Sequence, residues 1–142
     1  MVASLTASIP FDLHALIEAT ACNDSPDVFR PALRMQQWML FGPYLQPLAA
    51  ASGHVLIRQG GTDRTVYFVE SGSLSVHFED ETRRIRIAAI HAGSAVGEGA
   101  FFSRQPRTAT VQSAEPCRLW ALTPLRFTEL SNRQPEIALE VS

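Results

Sequence analysis

Lysine is absent from this 142-residue chain: its twelve basic side chains are all arginines, set against fourteen acidic ones for a formal charge of −2. So balanced a chain lacks the basic stripe that would displace phosphate counterions, which excludes nucleic-acid binding through bulk electrostatics. Any anion recognition must therefore be local. Cysteine is scarce, with only Cys22 and Cys117, far apart and without a CxxC spacing. Neither a disulfide framework nor a zinc site is indicated, and a reducing, cytoplasmic setting is expected. Histidine is equally thin: His14, His54, His77 and His91 are isolated, so three convergent metal ligands cannot be assembled from any local motif. No nucleophile elbow and no Gly-x-x-x-x-Gly-Lys loop occurs, so the reading is of a protein that is not an enzyme and holds no metal or cofactor. No stretch reaches the roughly 18 to 20 apolar residues needed to cross a bilayer, and Met1 to Pro10 lacks the pattern of a signal peptide. What remains is 46% apolar and 18% charged, the composition of one soluble globular domain.

The first fifty residues read as helical, interrupted by Pro26, Pro31, Pro43 and Pro47. Asp12 suits the cap of a helix carrying Leu13, Leu16 and Ile17 at helical spacing. A second helix is expected to start near Pro31, whose missing N–H is harmless in a first turn, with Leu33, Trp38 and Phe41 on its apolar face. After Ser52-Gly53 the period becomes that of strands. Val55 to Arg58 alternates, Gln59-Gly60-Gly61 turns, and Thr65 to Val69 is rich in β-formers. Ser71-Gly72-Ser73 is a tight-turn signal before Leu74 to Phe78, and Glu79-Asp80-Glu81 is a polar hairpin tip. Arg84 to Ile90 reads as a strand with Ile85 and Ile87 on one side and Arg84 and Arg86 on the other, and Arg83, Arg84 and Arg86 read as a solvated strand edge that resists aggregation. Arg107 to Val111 and Arg118 to Leu122 supply two more strands. Leu125 to Leu130 and Pro135 to Val141 read as helices. Six or so short antiparallel strands with turns every 8 to 12 residues predict a mainly β fold with flanking α-helices, a jelly-roll β-roll of barrel type.

One segment, from Ala95 to Val111, is too long and too specifically punctuated for a hairpin. Gly97 and Gly99 permit close backbone approach to a ligand, and Glu98 to Ser103 can wind into one helical turn whose leading N–H groups attract an anion. Pro106 fixes the entry to a strand whose first side chain is Arg107, a guanidinium suited to two-pronged contact with phosphate. Thr108 adds a hydroxyl. Glu98, nine positions before Arg107, offers acceptors for a hydroxyl. A ligand carrying one phosphate beside a sugar hydroxyl satisfies both, which is the geometry of a 3′,5′-cyclic nucleotide.

These residues closely resemble the phosphate-binding cassette of cyclic nucleotide-binding domains, the family of the bacterial catabolite activator protein, kinase regulatory subunits and nucleotide-gated channels. Its run of Gly-Glu, any residue, Ala, apolar positions and Pro-Arg-Thr/Ser-Ala is matched by Gly97-Glu98, Ala100, Phe101-Phe102 and Pro106-Arg107-Thr108-Ala109. The resemblance extends from about Gly53 to Leu130, through Gln59-Gly60, Tyr67-Phe68-Val69, Ser71-Gly72, Ala92-Gly93 and a closing helix around Phe127. It implies a regulatory, non-enzymatic domain for cAMP or cGMP. Gly97, Glu98, Gly99, Ala100, Arg107, Thr108 and Ala109 are the implied phosphate and ribose residues, and Val76, Ile87 and Ala88 the implied packing near base or sugar. Glycine at 99 and alanine at 95 depart from the larger residues usual in the family and predict a looser cassette. The family also closes its site with a long C-terminal helix, and this sequence reaches Ser142 where that helix would be forming.

The resulting organisation is a helical N-terminal segment over 1–50, a β-roll over 51–124 with the cassette at 95–111, and an apparently truncated C-terminal helical segment over 125–142. Ligand binding is expected to rearrange the flanking helices against an effector or a second subunit. The partners expected are the nucleotide and a homodimer mate reached through those helices, with no DNA-binding segment and no membrane span in this chain. The competing reading is a ligand-free β-roll that serves dimerisation or interaction.

Overall fold

The computed structural model of the protein describes residues 10–23, 33–97 and 105–141. Its first helix, α1 (Leu13–Cys22), begins where the Asp12 carboxylate accepts the His14 backbone N–H at 3.0 Å, satisfying a donor that has no partner within the helix. Helix α2 (Met35–Phe41) follows, and runs into a single 3₁₀ turn at Gly42–Tyr44. Pro31, the expected start of α2, lies outside the described residues.

Among the described residues eight strands make two antiparallel sheets of four. The strands are β1 (Gln46–Ala50), β2 (Val55–Ile57), β3 (Val66–Ser71), β4 (Ser73–Glu79), β5 (Arg84–His91), β6 (Ala95–Val96), β7 (Thr110–Ser113) and β8 (Cys117–Leu122). One sheet has the order β1-β8-β3-β6 and the other β2-β7-β4-β5. This is the expected β-roll, but not a closed barrel: each sheet ends in its own edge strands. A second correction concerns Gln46–Ala50, which the helical reading included and which is strand β1, paired residue by residue with β8. Pro47 cannot donate to a ladder, and an edge strand is where a sheet tolerates it. The pairing turns Leu48 and Ala50 into the inter-sheet core.

Two apolar clusters hold the layers together. Ala50, Ile57, Val69, Leu74, Val111, Cys117 and Leu119 fill the space between the sheets. On the outer side of the first sheet, Val66, Phe68, Trp120 and Leu122 pack against Leu16, Trp38, Phe41, Leu130 and Ile137 from the helices. Strands β3 and β8 are thus apolar on both faces, which is why their sequences run VYFV and LWAL without clean alternation. After β8 the chain closes with α3 (Pro124–Arg133), capped by the Thr123 hydroxyl and opened by Pro124, and α4 (Pro135–Val141). The second sheet has one face on the inter-sheet core, and its edge strand β5 is largely exposed.

Candidate functional site

Three glycines bend the backbone around the Arg107 side chain. Gly60, at φ +82°, lets the Gln59-Gly60-Gly61 turn run beside Arg107: the Arg107 N–H donates to the Gly61 carbonyl at 2.8 Å, and its carbonyl accepts from Gly60 N–H at 2.7 Å. That pairing holds Arg107 outside strand β7, which begins only at Thr110. Arg107 is therefore not the first residue of that strand, as the sequence suggested, but the last anchored residue of the loop leading into it.

The guanidinium is clasped by backbone oxygens. Nε donates to the Asp63 carbonyl at 2.7 Å, Nη2 to the Thr65 carbonyl at 2.8 Å and Nη1 to the Gly97 carbonyl at 3.2 Å. A guanidinium carries five N–H donors. Three are used here, and one on each terminal nitrogen has no partner among the described residues. Two parallel N–H groups are the arrangement that a pair of phosphate oxygens accepts. Gly97 sits at φ +89°, and a β-carbon there would lie 2.8 Å from Arg107 Nη1 and 3.0 Å from the Thr65 oxygen. Only glycine leaves room for the clasp.

A carboxylate and a phenol lie beside the clasp. Asp63 is two residues from Thr65, and its carboxylate accepts from both the Thr65 N–H and hydroxyl, fixing the turn that aims the Thr65 carbonyl. Burial pushes the Tyr67 phenol above its ordinary pKa, Asp63 reinforces the shift, and Arg107 opposes it. Tyr67 thus stays neutral at physiological pH and does not compete as an anion for the guanidinium.

A continuous row of side chains leads away from the clasp. Ile57 reaches to 3.3 Å of the position a Gly97 β-carbon would take. It pairs with Val111 on β7, Val111 with Val76 on β4, and Val76 with Ala88 on β5. Three strand spacings span about 14 Å. Val76 and Ala88 therefore face one another on the wall of the roll, at the far end of a row that starts beside Arg107. Ile87 occupies a bulge: β5 carries one extra residue where Val76 opposes Ala88 but His77 opposes Arg86. The strict alternation expected for this strand is thereby broken. Arg84 and Arg86 keep the outer face, where Arg84 reaches Glu79 at 3.1 Å and the Gln112 side chain at 2.7 Å, while Ala88 and Ile90 turn inward with Val76 and Leu74.

Of the other residues singled out from sequence, Thr108 is exposed and Ala109 half-buried, directly between Arg107 and β7. Glu98, Gly99 and Ala100 lie outside the described residues. Sequence reasoning missed the carbonyls of Asp63 and Thr65, because a backbone oxygen leaves no mark in residue identity. It also passed over the side chain of Gln59, which bonds both backbone groups of Glu79 at 2.8 Å.

An antiparallel β-roll that presents an arginine, clasped by carbonyls, at one end of an apolar wall defines a class of anion-and-apolar ligand binders. The comparisons make the assignment specific. The model of the cyclic nucleotide-binding domain matches residues 48–134, and the chain belongs to that family. It is 35% identical over 119 residues to the acetyltransferase Pat of Mycolicibacterium smegmatis, across 84% of this chain and 32% of that protein. It is 34% identical over 104 residues to the cAMP-dependent protein kinase regulatory subunit of Colletotrichum trifolii, across 67% of this chain and 26% of that one. The chain thus spans about a third or less of the length of these relatives. Among solved structures, the regulatory domain of Toxoplasma gondii PKA, crystallised with cAMP, superposes with a TM-score of 0.62 at 28% identity, over 69% of this chain and 38% of that one. The N-terminal domain of a transcriptional regulator from Streptomyces coelicolor superposes at 0.70 and 25% identity, over 78% of each chain.

Proposed function

We propose that this domain binds a 3′,5′-cyclic mononucleotide, cAMP or cGMP, and uses it as a signal without chemistry of its own. Arg107 holds the cyclic phosphate through its two remaining N–H groups, aided by the Thr108 hydroxyl, with Ala100 and Ala109 completing the phosphate-binding residues. Glu98 takes the ribose 2′-hydroxyl, Gly97 and Gly99 allow the close backbone approach, and Val76, Ile87 and Ala88 pack against sugar and base. The observation that carries this reading is the carbonyl clasp, which orients a cation in a half-buried position and uses only three of its five N–H donors.

The consequence of binding is a rearrangement of the flanking helices against an effector or a second copy of the chain, since a ligand shifts an equilibrium only when it binds one arrangement better than another. A reducing cytoplasmic setting suits the two unpaired cysteines, Cys22 exposed and Cys117 buried. Calorimetric titration with cAMP, cGMP and plain AMP tests the reading: saturable heat is expected with a cyclic nucleotide and far less with AMP. Arg107→Glu is expected to abolish that heat while the protein stays folded. Retained affinity in the variant means that the phosphate sits elsewhere.

A further inference from the structure

The inner wall of the roll carries an aromatic ring that neither the core nor the clasp uses. Along β4, Leu74 is fully buried between the sheets and Val76 packs against the same cluster. Phe78 is the next residue on that face, because side chains alternate and β4 itself carries no extra residue. The opposite phase, His77 and Glu79, is engaged on the outer face by Arg84. Phe78 nevertheless remains 42% exposed, and Ile87, in the bulge nearby, 58%. Phe78 pairs across β5 with Ile85. On its other side the β4–β7 ladder runs Val76 to Val111 and ends with His77 at Thr110, so Phe78 stands one residue past the end of the ladder, on the side where the chain leads back to Arg107. An exposed aromatic ring on the face that carries Val76, paired with Ile85 and near Ile87, at the end of the ladder that leads to Arg107, matches a ligand with an anion at one end and a flat apolar ring at the other.

We infer that Phe78 is the stacking platform for the nucleobase, a role that rests on the cyclic-nucleotide reading above. Stacking of a base on an aromatic ring tolerates any base and is lost on truncation. The platform accordingly adds affinity for purine cyclic nucleotides without selecting between cAMP and cGMP.

The test uses the whole chain and cAMP as the probe. Phe78→Ala is expected to weaken cAMP binding about tenfold, with unchanged thermal unfolding in the absence of nucleotide, and Phe78→Tyr to bind as the unsubstituted protein does. In Phe78→Trp the new indole is exposed, unlike the buried Trp38 and Trp120, and its emission is expected to be quenched saturably by cAMP. Undiminished affinity in Phe78→Ala, or emission of Phe78→Trp that ignores cAMP while calorimetry shows binding, overturns the platform and leaves the Arg107 reading standing. Absence of cyclic-nucleotide binding by the unsubstituted protein overturns the underlying reading, and the platform with it.

Discussion

Arg107 is oriented before any ligand arrives. Its three bonds to carbonyls neutralise nothing, because a carbonyl carries no net charge, so the guanidinium keeps its full positive charge while losing its freedom to rotate. A contact made by a side chain already held in place costs less ordering entropy than one made by a free arginine. Gly97 is the residue on which this depends. Gly97→Ala would place a non-glycine residue at φ +89°, at a cost of about 1–2 kcal/mol, and drive a methyl group into Arg107 Nη1 and the Thr65 oxygen. The expected outcome is a loss of cyclic-nucleotide affinity of at least about tenfold, a 1.4 kcal/mol effect, alongside a stability loss of about 1–2 kcal/mol. Parallel calorimetry and urea unfolding of the variant check both halves.

Between elements, the Gln59 side chain acts as a strut. Its amide donates to the Glu79 carbonyl and accepts from the Glu79 N–H, both at 2.8 Å, while its own N–H donates to the Thr110 hydroxyl at 3.0 Å. The next two residues, Gly60 and Gly61, hold the Arg107 backbone. One turn thus ties the end of β4, where Val76 and Phe78 stand, to the loop that supplies the guanidinium. Gln59→Ala removes two partly exposed side-chain bonds and is expected to cost about 1 kcal/mol of stability. Faster amide exchange at Glu79 and weaker nucleotide binding should accompany it. Exchange at Glu79 identical to that of the unsubstituted protein would show that the strut is dispensable.

Across the molecule, α1 is anchored at both ends to the sheet that leads into the cassette. At its start Arg118 bonds the Pro10 carbonyl at 3.1 Å and lies 3.8 Å from the centre of the Phe11 ring, which meets Trp120 edge-on. Beneath them the Glu70 carboxylate, only 8% exposed, takes Arg118 Nε at 3.1 Å and Trp120 Nε1 at 2.8 Å. At its end the Asn23 amide bonds the Ala92 carbonyl, and Gly93, at φ +90°, passes so close to the Ala19 carbonyl that a β-carbon would not fit. That turn continues into β6 and Gly97. Glu70→Ala removes the one carboxylate that takes both Arg118 Nε and the Trp120 indole N–H, so a loss of about 3–5 kcal/mol is expected in chemical unfolding. Saturation with cAMP at a hundredfold over its dissociation constant should in turn add about 2.7 kcal/mol to the unsubstituted protein, and nothing to Arg107→Glu. Thermal unfolding with and without nucleotide measures this difference.

Local chemistry made much of the protein readable in advance. Asp12 announces a helix start because a short side-chain acceptor satisfies an unpaired N–H group, and β-branched runs between glycine turns announce strands. Pro106-Arg107-Thr108-Ala109 is legible because it matches the run that marks the family to which the chain belongs. Contacts distant in the chain decided the rest. Gln46–Ala50 became a strand because β8 lay beside it with an open edge, which no helical pattern within residues 1–50 could register. The roll stayed open because the two sheets pair separately, and the bulge at Ile87 broke an alternation that was clear in the sequence. The grip on Arg107 comes from carbonyls of Asp63, Thr65 and Gly97, groups every residue possesses, so only the path of the backbone in space could bring them to one guanidinium.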